Sequence, residues 1–585
     1  MSCNFPFAKH IPMRPAQCNT DPCCNVQVAF SCGKICGYTG TNPCINLDLR
    51  ALRIDLLQAP LIAGPTSPTA LFHIGTDLRF VNLDWVAMTT DSPTLQTGTV
   101  STRVVNGEFE FGIPFYTSDL KITVNLPEVT VTVMAPASTA MTKFSGEDLS
   151  LYMAFKYANR VAVDTSGLDH EAPVPPRLQH QLGPHRSSRA MAIVHIAIMD
   201  ALLAIFPEYS PYSFVAPGPV QASGEAAIYQ ALYDTLVHLF PTHQPRLQTI
   251  LTNALATIEN GPLKTAGIAL GSASALSIIT QRSTDNAPPT EVLYVGPPMF
   301  GEWRPADPLG NQVALGKHWD QTTPFFLTTK DEVPMDAFPA FNSQKYGMEY
   351  NNVKDLGGDG APGGTPTVRS QEQAYIGYYW GYDGTPSLCA PPRLYNQVSI
   401  PILSEHLDTV LEFIRGVTLL NVGMADTGIA AWYYKYFFNI WRPMSAIRDA
   451  DPLNPLTIPD PTWTPLGAPA SNTSQNGFVP NFPSYPSGHS SFGGLIFQLL
   501  RNLIGTDNIS FTFVSDELNG ITIDHQTGLP RPNVPRSFTS LTQAEDENGF
   551  SRIPLGIHFY SDKTEGIKLG NGIADLLVAR VYNSP

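Results

Sequence analysis

The sequence predicts a mainly helical protein of bundle type, preceded by a Cys-rich segment and a small β-sandwich-like N-terminal domain. Three observations predict it. Seven of the eight cysteines, Cys3, Cys18, Cys23, Cys24, Cys32, Cys36 and Cys44, stand at the N-terminal end, with only Cys389 elsewhere. Strict apolar/polar alternation, the period of a half-buried strand, is confined to about residues 45–137. From about residue 140 apolar residues recur instead at three- and four-residue spacing, the period of a helix with one buried face. The chain of 585 residues is long enough for two or more domains, and it divides into 1–44, 45–140, 141–370 and 371–585.

Composition narrows the function classes. The hydrophobic share of 43% is ordinary for a globular chain, and there is no uninterrupted apolar run of the length a membrane span needs. A net charge of -15, with no run of Lys and Arg, argues against nucleic acid as a partner, so any anion site must be local. The start "MSCNFPFAKHIPMRPAQ" lacks the basic head and apolar core of a secretory signal. A cytoplasmic protein, one already processed, or one exported by a non-classical route all remain open.

Taken in chain order, the cysteines come first. They fit a small disulfide-stapled segment better than a thiolate metal site, because only Cys32 and Cys36 have tolerable ligand spacing and no paired CxxC follows. Seven is odd, so at least one of these thiols would be free, paired to another chain, or reduced. The strands come next: "DLKITVNL" alternates Leu120, Ile122 and Val124, "VTVTVM" alternates Val129, Val131 and Val133, and "VVNGEFEF" holds an Asn106-Gly107 hairpin turn. Nothing in this region forms a catalytic constellation.

The helical part opens with "RSSRAMAIVHIAIMDALLAIF", where Ala190, Ile193, Val194, Ala197 and Ala201 make an apolar stripe. His195 on that stripe reads as a satisfied core histidine. The Pro- and Gly-rich "GGDGAPGGTPTV" reads as surface loop, after which helical spacing resumes through "EHLDTVLEFIRGVTLLNVGMADTGIAAWYYKYFFNIW".

Three segments then carry chemistry. In "KYFFNIWRP", Lys435 and Arg442 are seven residues apart; two helical turns cover about 7.2 residues, so both cations are expected on one helix face. Trp432, Tyr436, Phe437, Phe438 and Trp441 surround them, and cations in so aromatic a setting call for an anionic partner. "NFPSYPSGHSSFGG" runs into the apolar "LIFQLLRNLIG", so Ser487, Gly488 and His489 would open a helix whose free N–H groups cradle an oxyanion. "SRIPLGIHFYSD" adds Arg552, His558 and Asp562.

These motifs resemble the superfamily that unites vanadium-dependent haloperoxidases with type 2 phosphatidic acid phosphatases and bacterial class A acid phosphatases. The likeness is greatest to the fungal-type chloroperoxidases, through "YDGTPSLCAPPRLYNQV", "MADTGIAAWYYKYFFNIWRPMSAIRD", "LGAPASNT", "FPSYPSGHSSFGG", "ELNG" and "SRIPLGIH", and it spans most of 375–585. The resemblance implies two four-helix bundles related by a pseudo-repeat and a vanadate cofactor. His558 would be the sole protein ligand of the metal, through one ring nitrogen. Lys435, Arg442, Arg552, Ser487 and the Gly488 amide would hold the vanadate oxygens. His489 would be the acid–base group, Asp562 would orient His558, and Asp383 of "WGYDGTP" would pair with an active-site arginine.

The activity implied by the resemblance is oxidation of halide by hydrogen peroxide to hypohalous acid, which halogenates a small organic acceptor. Trp432 and Phe482 match the fungal-type chloroperoxidases rather than the red-algal-type bromoperoxidases, which carry Arg and His there, so they would line the halide pocket and favour chloride. The competing reading is an acid phosphatase with His558 as nucleophile and His489 as general acid. Against it stand the long gap between His489 and Ser551 and the lack of the membrane helices of the phosphatidic acid branch. A binding protein with a decayed site is disfavoured by the intact Lys435, Arg442, Ser487, Gly488, His489, Arg552 and His558. The native halide and acceptor are not fixed by the sequence, and a homo-oligomer stays open.

Overall fold

The computed structural model describes residues 144–584, apart from 145, 172–178, 217–218, 307–312, 450–453 and 521, together with the backbone of nine strands between 14 and 135. Those strands pair antiparallel. One sheet has the order Arg14–Pro15, Cys24–Phe30, Val129–Ala135, Lys121–Asn125; the other runs Arg53–Ile62, Pro68–Gly75, Glu108–Pro114, Thr99–Val105, Asn82–Val86. Val105 pairs with Glu108, and the hairpin turn expected at Asn106-Gly107 between them lies outside the described residues. The strand Cys24–Phe30 pairs with Val129–Ala135, so the two ends of the N-terminal region share a sheet. Face-to-face packing of the sheets and the pairing of the N-terminal cysteines lie outside the described residues.

The rest is helical. Gly146–Asp169, Gly183–Leu203, Gly224–Leu239, Gln244–Ala256 and Pro262–Arg282 come first; Pro391–His406, Val410–Phe438, Gly488–Ile504, Leu541–Phe550 and Tyr560–Arg580 come after a loop-rich middle. By length and composition alone Pro262–Arg282 is apolar enough to cross a membrane. Here it packs on Gly224–Leu239, with Leu270, Ala275 and Ile278 buried and Arg282 paired to Asp285 at 2.9 Å. His195 is fully buried, donating from Nδ1 to the Met191 carbonyl (2.7 Å) with Asn159 Nδ2 at 3.0 Å from Nε2, as a core histidine does.

The 29-residue helix Val410–Phe438 joins the two halves. Thr409 and Glu412 close its N-terminus as a capping box, which satisfies orphan amides there. It is apolar on nearly every face because it packs on Gly183–Leu203 on one side and on Gly488–Ile504, Tyr560–Arg580 and Pro391–His406 on the others. One apolar core, including Ile193, Leu232, Leu420, Leu495 and Ile573, runs through both halves. Gly488–Ile504 and Tyr560–Arg580 lie in especially close contact: a Cβ on Gly570 would come within 2.2 Å of the Ser491 carbonyl, so only glycine fits that crossing.

Candidate active site

Three helix ends meet at one place. Val410–Phe438 stops at Asn439, whose left-handed φ of 52° caps it, so Lys435 sits in the last turn and Arg442 lies beyond the helix. This corrects the expectation of a shared helix face. The two cations converge because the chain turns back after Phe438, and both lie against the Phe482 ring, Lys435 Nζ at 5.0 Å and Arg442 Cζ at 4.9 Å from its centroid. Ser487 caps the helix Gly488–Ile504, its Oγ 3.4 Å from the Ser490 amide, so the first amides of that helix open toward the same place. His558 stands just before Tyr560–Arg580, and Arg552 lies in the turn between Leu541–Phe550 and that helix.

The histidine is wired from behind. His558 Nδ1 is 2.7 Å from Asp562 Oδ2, which also accepts from the Phe559 amide at 3.0 Å and from Ser484 Oγ. Asp562 thereby fixes the tautomer with the proton on Nδ1, and the Nε2 lone pair accepts from Arg442 Nη1 at 2.9 Å, a bond that a metal bound at Nε2 would displace. His489 Nε2 donates to the Gly381 carbonyl at 2.6 Å and lies 4.0 Å from Asp383 Oδ1, which accepts from Arg552 Nη2 at 2.5 Å. Lys435 gives its ammonium protons to the carbonyls of Pro483 (3.0 Å), Ser484 (3.1 Å) and Pro486. In this arrangement it would reach an oxyanion only by exchanging one of those bonds; what it does here is hold the turn that leads into Ser487.

The electrostatics are lopsided. Lys435, Arg442 and Arg552 are 0%, 1% and 1% exposed, and the carboxylates among them are Asp383 and Asp562. Burial, then repulsion from Arg442, pushes Lys435 well below the usual lysine range, and burial brings Arg442 down to about 9. Burial and the surrounding cations hold His558 far below the ordinary imidazole value, and burial together with Arg552 brings His489 down to about 4. Burial pushes Asp562 up to about 7. A multiply charged anion among these groups would relieve the strain on every cation and imidazole.

The donor set fits vanadate. Arg442 Nη2 and Arg552 Nε and Nη1 are buried N–H donors without an acceptor in the protein, each a desolvation cost of about 1–3 kcal/mol if left so. A Cβ on Gly488 would meet only the Trp432 ring, at 3.8 Å, so the glycine keeps open the space before the helix N-terminus. Guanidinium forks, helix amides and one imidazole nitrogen with its opposite proton committed are the partners a tetrahedral oxyanion bound through a single nitrogen requires. Trp432 and Phe482 stand together at the edge, ring centroids 5.0 Å apart. A cavity of about 670 Å³ reaches the site, lined there by Asp383, Trp432, Phe482, Gly488, His489, Arg552 and His558.

The motifs alone do not reveal several contributors. Ser484, bonded to Asp562, stands within "NFPSYPSGHSSFGG", but no spacing singles it out. Glu517, in the "ELNG" segment, is fully buried and accepts from the Tyr382 amide (2.9 Å), Ser471 Oγ (2.5 Å) and Arg531 Nη1 (2.5 Å). It braces the turn, with Tyr382 at a left-handed φ of 52°, that presents the Gly381 carbonyl to His489 and Asp383 to Arg552. Such a contact between distant segments leaves no local signature.

Residues 415–584 match a family described as the VCPO second helical-bundle domain. The chain is 29% identical over 458 residues to vanadium chloroperoxidase from Curvularia inaequalis, covering 65% of this chain and 75% of that one. Among solved structures, a bacterial vanadium-dependent iodoperoxidase is similar with TM-score 0.58 at 22% identity, covering 73% of this chain and 96% of the other. A holo-type bacterial vanadium-dependent chloroperoxidase is similar with TM-score 0.53 at 16% identity, covering 69% and 93%. At those identities the two structures speak for a shared fold. The chain is thus a homologue of vanadium chloroperoxidase whose residues 415–584 match the VCPO second helical-bundle domain.

Proposed function

We propose that the protein is a vanadium-dependent haloperoxidase, oxidising chloride and bromide with hydrogen peroxide to hypohalous acid that halogenates an organic acceptor. The observation that carries this is the set of unsatisfied Arg442 and Arg552 donors gathered around a His558 Nε2 whose opposite nitrogen is committed to Asp562. Vanadate, when bound, supplies a Lewis-acidic centre that activates peroxide toward halide without changing its own oxidation state.

The chain's own residues do the rest. His558 would offer Nε2 as the single protein ligand, with its Nδ1 proton held by Asp562. Arg442, Arg552, Ser487 and the Gly488 amide would hold the oxygens, with Lys435 as a further cation behind the Pro483–Pro486 turn. His489, neutral above about pH 4 and with Nε2–H given to Gly381, accepts a proton at Nδ1. Asp383 sets the reach of Arg552. Trp432 and Phe482 form an apolar wall that strips water from a small halide.

We infer the finer architecture on the same footing. Residues 141–370 and 371–585 are two four-helix bundles, and the strands of 45–140 form a β-sandwich-like domain that also takes in strands of the disulfide-stapled N-terminal segment. A homo-oligomer is compatible with it.

The test is to add orthovanadate to metal-free protein and follow peroxide-dependent halogenation of a phenolic dye. Activity should appear with vanadate and fall as phosphate competes for the cradle. Rapid turnover of a phosphomonoester with no vanadate-dependent halogenation would replace this reading with the phosphatase one, in which His558 is the nucleophile.

A further inference from the structure

The cavity in front of the cradle is much larger than the proposed reaction at its floor needs. At about 670 Å³ it would hold about twenty waters at about 30 Å³ each, whereas a halide and a peroxide take the place of two or three. Its size is that of pockets which enclose small organic ligands, about 300–1,000 Å³. Its walls are apolar: Leu182, Pro184, Leu315, Phe478 and Val479 all face into it.

Its charges are few. Those lining it are Asp383, Arg552 and Arg448, and the first two are bonded to each other at 2.5 Å. Arg448 stands apart, on the short helix Pro443–Asp449 that comes after Arg442. Its Nε donates to the Trp463 carbonyl at 2.8 Å, which fixes the plane of the guanidinium and leaves Nη1 and Nη2 for another partner. Among the described residues no carboxylate pairs with it, although the neighbouring Asp449 is taken by Arg304. In a chain of net charge -15 an oriented cation with no carboxylate partner among the described residues, set in an apolar cavity, is a local device for capturing an anionic group.

We propose that this cavity is the binding site of the organic acceptor, and that the acceptor is an electron-rich aromatic molecule carrying one anionic group received by Arg448. The inference rests on the haloperoxidase reading. The step it organises is electrophilic substitution on the held ring: hypohalous acid delivers its halogen to a ring carbon, the C–H proton leaves with the hydroxide, and water is the second product. Holding the ring beside the cradle lets halogenation outrun escape of the oxidant into bulk solvent.

The test uses full-length protein with its cradle filled by orthovanadate, and two acceptors of one shape, a hydroxynaphthoate and the matching neutral hydroxynaphthamide. Equilibrium binding should favour the naphthoate, and the preference should shrink as salt is added. Arg448→Gln should weaken naphthoate binding about tenfold or more and raise its KM alike, leaving naphthamide within about twofold, since one charge-assisted fork is lost. Arg448→Lys should recover part of the loss. Equal affinity of wild-type protein for both molecules would overturn the proposal, and so would an Arg448→Gln variant that raises the halide KM with either acceptor. Failure of wild-type protein to oxidise halide with any acceptor would instead remove the haloperoxidase reading, while the binding comparison would still report on Arg448.

Discussion

Replacing Asp383 by Asn tests whether Arg552 faces a bound anion. The pair is deeply buried, 1% and 6% exposed, with Nη2 and Oδ1 2.5 Å apart. Two charges centred about 4 Å apart attract by about 4 kcal/mol at the effective dielectric of a protein site. Removing the carboxylate also removes its desolvation cost, so the net destabilisation of the anion-free protein should be about 3 kcal/mol. The effect on anion binding has the opposite sign. Arg552 loses its counter-charge and keeps two buried N–H groups, Nε and Nη1, that have no acceptor in the protein. Orthovanadate and phosphate should therefore bind about tenfold tighter, which is about 1.4 kcal/mol. At one saturating ligand concentration that difference appears directly as extra ligand-induced stabilisation. Thermal unfolding of wild type and Asp383→Asn, each with and without the anion, measures both terms. A variant that melts lower, yet gains no more from the anion than wild type does, would show that anions do not sit against Arg552.

His558→Ala should abolish stable vanadate binding, whereas His489→Ala should retain the metal and lose turnover; equal vanadium content and equal loss in both would contradict the assigned roles. Glu291 accepts from the Gly316 amide (2.6 Å) and from Arg186 and His185, bracing the loop that backs Trp432, with a Gly316 Cβ only 2.2 Å from that ring. Burial works against it, but His185, the Gly316 amide and Arg186 hold it down at about 2, so its contribution of about 3 kcal/mol is complete above about pH 4.5 and is lost as pH falls toward 2. Glu291→Gln should flatten that acid limb in a stability–pH profile read from tryptophan fluorescence. Phe482→His should weaken chloride oxidation more than bromide oxidation, because a polar ring against Lys435 and Arg442 rehydrates the wall next to the smaller halide. Bromide oxidation without chlorination by the wild-type protein at any pH from about 4 to 8 would sink the aromatic-wall argument.

The helices are legible in the sequence because their cores are periodic: the stripe Ala190, Ile193, Val194, Ala197, Ala201 is buried throughout. The members of the site are legible as residue types in short motifs. Their convergence is not, because it depends on chain reversals. Lys435 and Arg442 meet through the left-handed Asn439, not through helical spacing. The engagement of Lys435 by three carbonyls of a proline-rich turn comes from tertiary packing that no spacing encodes. Asp562, four residues after His558, is suggested by sequence and does meet it; Ser484 and Glu517, 78 and 135 residues from Asp562 and Tyr382, cannot be found that way.

Gathering Lys435, Arg442 and Arg552 with two carboxylates leaves the anion-free protein with uncompensated buried charge, which opposes folding. The helical framework must therefore be rigid enough to hold the cradle before any anion arrives. The close crossing of Gly488–Ile504 on Tyr560–Arg580 supplies that rigidity: Gly570 lets the Ser491 carbonyl approach, and the Ser487 amide bonds the Asp562 carbonyl at 3.0 Å, tying the cradle's amides to the segment that carries His558. An anion there would draw on Arg442 just beyond Val410–Phe438, the start of Gly488–Ile504 and the approach to Tyr560–Arg580 together. Because those donors flank three separate helices, binding should protect amides at the adjoining ends of all three from exchange, not only those of the loops that touch the anion.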